Sequence, residues 1–179
     1  MKIRSLILTA LFAAITAAGA WLRIPMPPSA ITLQFLCAAM AGVLLGKKYG
    51  ALSQAVYTVL GLAGLPVFSQ GGGIGYVLQP TFGFTLGLIA AAWITGRLAH
   101  GSHSPGRIAL ACTAGLGALY AVGLPYMALI LIGYLGQAWT LHGLLWAGIL
   151  PFLPGDAVKI LLCCLVCPRL TQRLGKMHE

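Results

Sequence analysis

From Leu6 to Cys167 the chain is a succession of apolar stretches with charge falling almost entirely between them, and a bilayer is the medium that pattern requires. Hydrophobic residues make up 59% of the 179 positions and charged ones 7%, with mean hydropathy +0.93. A soluble domain carries about a quarter charged residues, so this chain could not cover a water-facing surface. The stretches run past the ~10 residues of a barrel strand and do not alternate strictly, which favours helices. The expectation is an all-α integral membrane protein, a single domain over 1–179 with six transmembrane helices in a compact bundle.

Charges and helix breakers place the spans at about 6–21, 31–46, 49–65, 82–99, 108–132 and 143–167. The second is stopped by Lys47 and Lys48. The last contains Pro151 and Pro154, so a short outer piece is expected, followed by a helix starting at Pro154, where a first-turn proline is tolerated.

A net charge of +9 would suggest nucleic acid in a soluble protein, but its distribution points to membrane topology. Lys2, Arg4, Lys47, Lys48, Arg97, Arg107, Arg169, Arg173 and Lys176 fall at the two termini and alternate loops. The positive-inside rule therefore puts both termini in the cytoplasm and turns loops 22–30, 66–80 and 133–142 outward. Arg23 is the one cation expected in an outward loop.

Lys2, Arg4 and the small residues at 18–20 imitate a signal peptide, but removing the span would leave five helices and spoil the alternation of charge. Ala10, Ala14 and Ala18 form one stripe on that span, with Ala13 and Ala17 beside it. Such a stripe lets another helix approach closely, either inside the bundle or from a partner. The five cysteines, including the Cys164–Cys167 pair at CxxC spacing, lack a second ligand pair or a redox setting and read as packing residues. His100 and His103 read as solvated loop residues.

One carboxylate lies away from the C-terminus: Asp156, in PFLPGDAVK at 151–159. An acid at bilayer depth costs on the order of 3 kcal/mol, which makes it a functional-site hypothesis by default. Lys159, at i+3, projects from the same helix face. An internal ion pair is the alternative, although buried pairs seldom add net stability.

The outward loop at 64–84 carries Gly71, Gly72, Gly73 and Gly75, which permit unusual backbone angles and close approach to a ligand. No GK[ST] follows them, so no ATP site of that kind is present. Phe68, Tyr76, Gln79, Thr81 and Phe84 around the glycines fit a lid with apolar and hydrogen-bonding contacts better than a plain linker.

The strings GLAGLPVFSQGGG at 61–73, QPTFGF at 79–84 and PFLPGDAVK at 151–159 resemble the BioY family, the biotin-binding substrate-specificity (S) components of energy-coupling factor (ECF) transporters. PPSAITLQ at 27–34, ending in Gln34, and LLGKKYGAL at 44–52 fit the same pattern, and the resemblance extends from about residue 5 to 167. Two positions depart from it: the family usually has Gly at Gln79 and Tyr at Phe84.

The resemblance implies high-affinity capture of biotin at the bacterial cytoplasmic membrane and delivery to a transmembrane coupling subunit with two cytoplasmic ATPases. The implied substrate-binding set is Asp156, Lys159, Gly72, Gly73, Tyr76, Gln79, Thr81, Phe68 and Gln34, and the coupling subunit would dock on Ala10, Ala14 and Ala18. No cofactor, metal or catalytic residue is implied; ATP would be used by the partners. A carboxylate and an ammonium suit biotin's ureido ring, with two N–H donors and one carbonyl. For the valerate carboxylate, Lys159, backbone N–H groups of the glycine loop and Arg23 all remain candidates. An S component for another vitamin and a solitary or oligomeric biotin transporter are the competing readings. An intramembrane enzyme finds no GxSxG, HExxH or second buried acid.

Overall fold

The computed structural model describes residues 3–26 and 29–176, so Lys2, Pro27 and Pro28 of the sequence argument lie outside the described residues. Among these residues the chain forms six α-helices: α1 (Ile3–Trp21), α2 (Gln34–Leu62), α3 (Phe82–Ala99), α4 (Pro105–Ala128), α5 (Leu141–Ile149) and α6 (Leu153–Lys176). A two-stranded antiparallel hairpin, β1 (Arg23–Met26) and β2 (Ser29–Thr32), joins α1 to α2, and a 3₁₀ turn covers Ile74–Leu78.

The count of six agrees with the sequence, but the chain divides itself differently. Expected spans two and three are the two arms of α2, which turns back on itself at Gly46. There φ is +79° and ψ 175°, a conformation that glycine adopts without a Cβ penalty. The reversal brings the Gln34 amide to 2.7 Å from the Tyr57 hydroxyl. In a straight helix, at about 1.5 Å per residue, these positions would lie ~34 Å apart.

The last expected span is α5 and α6 together. The break after Ile149 bends the axis by 42°, and Pro154 occupies the first turn of α6, where its missing N–H costs no intrahelical bond. α4 continues through a π-helical turn at Leu129–Tyr134, just beyond Pro125, which cannot supply an N–H to the ladder. The hairpin at 23–32 was expected only as a loop.

Four helical stretches are long and apolar enough to cross a bilayer, namely Ile3–Trp21, Gln34–Leu62, Phe82–Ala99 and Pro105–Tyr134; the bent α5–α6 pair passes the same test as a unit. Burial has the sense expected in lipid. Leu110, Leu161 and Leu165 face outward, while Thr16, Ser53, Gln54 and Thr95 are buried within the bundle. Thr16 returns its hydroxyl proton to the Phe12 carbonyl at 2.8 Å, and Thr95 donates to Ala111 of α4 at 3.3 Å.

α3 packs between α2 and α4, α1 lies against α2, and α6 closes on α2 and α4. Small residues permit this: a Cβ on Gly42 would stand 2.6 Å from the Ala92 carbonyl of α3. Tight apolar packing there leaves Ala91, Ala92, Ala99, Ile108, Ala111 and Cys112 fully buried. The space that remains lies at the opposite end, beneath the loop between α2 and α3.

Candidate substrate-binding site

The floor of that space is built by the α5–α6 break. Restarting the helix at Leu153 puts Asp156 in the first turn of α6, where unpaired N–H groups make the potential favourable for an anion. Lys159 Nζ donates to Asp156 Oδ1 at 2.8 Å, and Tyr120 of α4 donates its hydroxyl to Oδ2 at 2.6 Å. Asp156 is 3% exposed and Lys159 6%, so both charges are removed from solvent yet each has a partner. Each carboxylate oxygen retains a further lone pair, and the ammonium two further protons.

The walls are largely apolar. Phe35 comes from α2, Phe84 and Leu88 from α3, Leu119 from α4, and Gly148 and Phe152 from either side of the helix break. Phe84 stands edge-on to Tyr120, with ring centres 6.2 Å apart and planes at 90°. Gly123 makes room for it, since a Cβ there would fall 2.5 Å from the Phe84 ring.

Polar groups return at the mouth. Thr32 donates to Gln34 Oε1 at 2.9 Å, Gln34 donates to Tyr57, and Tyr57 passes its own proton to the Val67 carbonyl at 3.1 Å. Across the opening, the hydroxyl of Tyr76 lies 3.2 Å from that of Ser69 and 3.3 Å from that of Thr81. The cavity between these groups measures about 70 Å³.

The loop above is folded, not slack. Phe68, 1% exposed, seats its ring against Gly61, stacks on Tyr76 at 4.4 Å and meets Tyr57 edge-on at 5.4 Å. The Gly73 amide donates to the Gly61 carbonyl at 2.7 Å, and the Trp21 indole to the Pro66 carbonyl at 3.0 Å. Arg23 donates to the Ser69 carbonyl.

Of the residues singled out by sequence, Asp156, Lys159, Gln34, Tyr76 and Thr81 line this pocket together. Gly72, Gly73, Phe68 and Gln79 do not. Gly72 and Gly73 shape the loop: Gly73 has φ +100°, and a Cβ on Gly72 would meet the Leu65 carbonyl at 2.0 Å. Phe68 backs Tyr76 from the loop side, and Gln79 points outward as the extended residue ending the 3₁₀ turn.

Sequence reasoning passed over Tyr120, Thr85, Phe152, Ser69 and Thr32. Tyr120 carried one usable signal, a hydroxyl-bearing ring in the middle of an apolar span. Ala10, Ala14 and Ala18 are exposed on α1, whereas neighbouring Ala13 is buried against the bundle. Among the described residues no cluster of His, Cys, Asp or Glu has metal-binding geometry, and all five cysteines are unpaired.

Comparison with known proteins agrees with this architecture. The BioY family profile matches residues 1–176. "Probable biotin transporter BioY" of Lysinibacillus sphaericus is 45% identical over 140 residues, 76% of this chain and 71% of the relative. "Biotin transporter BioY" of Thermotoga maritima is 35% identical over 168 residues, covering 93% and 95%. That of Rhizobium etli is 36% identical over 182 residues, covering 93% and 92%. A 2.1 Å crystal structure of the S-component for biotin from an ECF-type ABC transporter superposes with a TM-score of 0.83 at 26% identity, over 96% of this chain and 92% of that one. A carboxylate–ammonium pair under a folded glycine loop thus sits in a helical membrane scaffold shared with these proteins, and the chain belongs to the BioY family.

Proposed function

We propose that this chain captures biotin and takes it up across the bacterial cytoplasmic membrane as the S component of an ECF transporter. The observation that carries the reading is the buried floor, where Asp156 is held by both Lys159 and Tyr120 and still has acceptor capacity facing the pocket. A ureido ring presents two N–H donors and a carbonyl, which Asp156 and Lys159 complement with charge-assisted bonds. The apolar walls suit a fused thioether ring and its aliphatic tail. Gln34, Tyr76 and Thr81 close the mouth over the ligand, while Gly72 and Gly73 keep the loop in its closed shape. Phe84, in place of the family's usual tyrosine, supplies ring area without a hydroxyl, and Gln79 stays clear of the ligand.

Topology follows from charge: the termini and the Lys47–Lys48 turn face the cytoplasm, and the loop over the pocket faces outward. The exposed Ala10, Ala14 and Ala18 receive a transmembrane coupling subunit, and two cytoplasmic ATPases supply the energy. The chain itself acts as a binding and transport component with no enzymatic step and no cofactor of its own.

Calorimetric titration of the purified protein with biotin, riboflavin and thiamine tests the assignment. Saturable binding of biotin alone is expected; binding of another vitamin in its place would overturn it. Uptake in cells with and without the coupling and ATPase subunits tests the partnership, and equal accumulation in both would assign transport to the chain alone.

A further inference from the structure

Biotin is an acid as well as a urea, and the pocket that suits its ring has no cation to spare for its carboxylate. Lys159 is the one basic side chain lining that pocket, and Asp156 already engages it at 2.8 Å. At the mouth the lining offers neutral groups only: the Gln34 amide and the hydroxyls of Thr32, Ser69, Tyr76 and Thr81. Neutral donors can hydrogen-bond a carboxylate but leave its charge uncompensated.

Compensation lies one residue further out. Ser69 also borders a second, open hollow, whose other walls include Trp21, Arg23 and Pro66. Arg23 Nη1 donates to the Ser69 carbonyl there, so the guanidinium is held against the residue that separates the two spaces. One of its five N–H donors is used in that contact, which leaves the rest of the planar fork for an anion. Among the described residues the other Lys and Arg side chains, Lys159 apart, belong to the opposite end of the bundle: Lys47 and Lys48 follow the Gly46 reversal, and Arg4, Arg97, Arg107, Arg169 and Arg173 lie near the helix ends there. Arg23 is therefore the cation of the loop end.

We infer that Arg23, with Ser69 beside it, forms the subsite for the ligand's carboxylate. The inference rests on the biotin reading above and narrows it. A monocarboxylate with a flexible aliphatic tail has its ring at Asp156 and Lys159, passes the Ser69 hydroxyl, and ends on the Arg23 guanidinium at the edge of the outer hollow. A compensated ion pair at the buried end and a cation at the surface then select for a ligand with a urea at one end and an anion at the other.

Titration of full-length wild type and Arg23→Gln with two probes, biotin and its neutral primary amide, separates the possibilities. Arg23→Gln is expected to weaken biotin about 5- to 20-fold, a partly exposed charge-assisted contact, and to leave the amide unchanged. The wild-type preference for biotin over the amide should shrink on raising salt, since the contact lies near solvent. Equal weakening for both probes would make Arg23 a tether for the loop and overturn the subsite, as would no weakening for either. Failure of wild type to bind either probe would sink the biotin reading itself, whereas an Arg23 effect equal on both probes sinks only the subsite.

Discussion

Tyr120 and Asp156 are 36 residues apart in sequence, yet the phenol donates to Asp156 Oδ2 at 2.6 Å, opposite the Lys159 bond to Oδ1. The acid is thus clamped from two helices, with its carboxylate plane fixed before any ligand arrives. Preorganisation of this kind reduces the ordering cost of binding.

Removing the charge should be the most damaging single change. Asp156→Asn keeps the shape and one acceptor but leaves Lys159 buried without its counter-charge, and biotin affinity should fall by about 2–5 kcal/mol. That is at least ~30-fold in Kd. Lys159→Met should also weaken binding, and the double variant should lose less than the sum of the two. Normal affinity in a well-folded Asp156→Asn protein would reduce the pair to a structural element.

Tyr120→Phe keeps the ring against Phe84 and deletes only the clamp. A loss of about 1–2 kcal/mol in biotin affinity is expected in the wild-type background. In the Asp156→Asn background the same change should cost little, because the charge it oriented is gone. An equal cost in both backgrounds, measured by titration, would mean that Tyr120 contributes through packing alone.

The loop glycines should act on rates by different routes. Gly73→Ala forces a side chain into φ near +100°, a strain of roughly 1–3 kcal/mol, whereas Gly72→Ala collides with the Leu65 carbonyl. Both should speed biotin dissociation while helix content by circular dichroism stays unchanged. Unaltered dissociation in stopped-flow measurements would show that the loop closure does not retain the ligand.

On α1 the alanine stripe faces outward beside Ile7, Leu11 and Ile15, and nothing in the pocket touches it. Ala14→Trp should therefore leave biotin binding intact but reduce co-purification with a coupling subunit. Loss of both properties, or of neither, would argue against docking on this face.

Orientation can be read with single cysteines in a cysteine-free background. Gln70→Cys, exposed on the loop, should react with a membrane-impermeant thiol reagent in intact cells, and His103→Cys, exposed between α3 and α4, should not. The reverse pattern would put the pocket on the cytoplasmic side.

What the sequence disclosed follows from the range of the physics behind it. The Asp156–Lys159 pair was legible because i,i+3 geometry is local, and the α5–α6 break because Pro151 and Pro154 act on their own turn. Tyr120 was not, since its partner lies on another helix and an aromatic inside an apolar span has no local mark of its role. Lys47 and Lys48 signalled a stop, but only Gly46 and its φ of +79° show that α2 reverses there within one residue. Gln79 looked like a ligand group by chemistry, and the extended backbone at the end of the 3₁₀ turn directs it away. The small hairpin at 23–32 escaped notice because two four-residue strands containing Pro25 give no usable periodicity.

The close seam between α2 and α3, with Gly42 against the Ala92 carbonyl, lies on the far side of the floor from the loop. Ala91, Ala92, Ile108, Ala111 and Cys112 around it are fully buried, so the pocket opens toward the loop and is backed by packed side chains on the other side. A ligand held under the loop could reach the other side of the bundle only if this seam parted or the bundle moved as a whole.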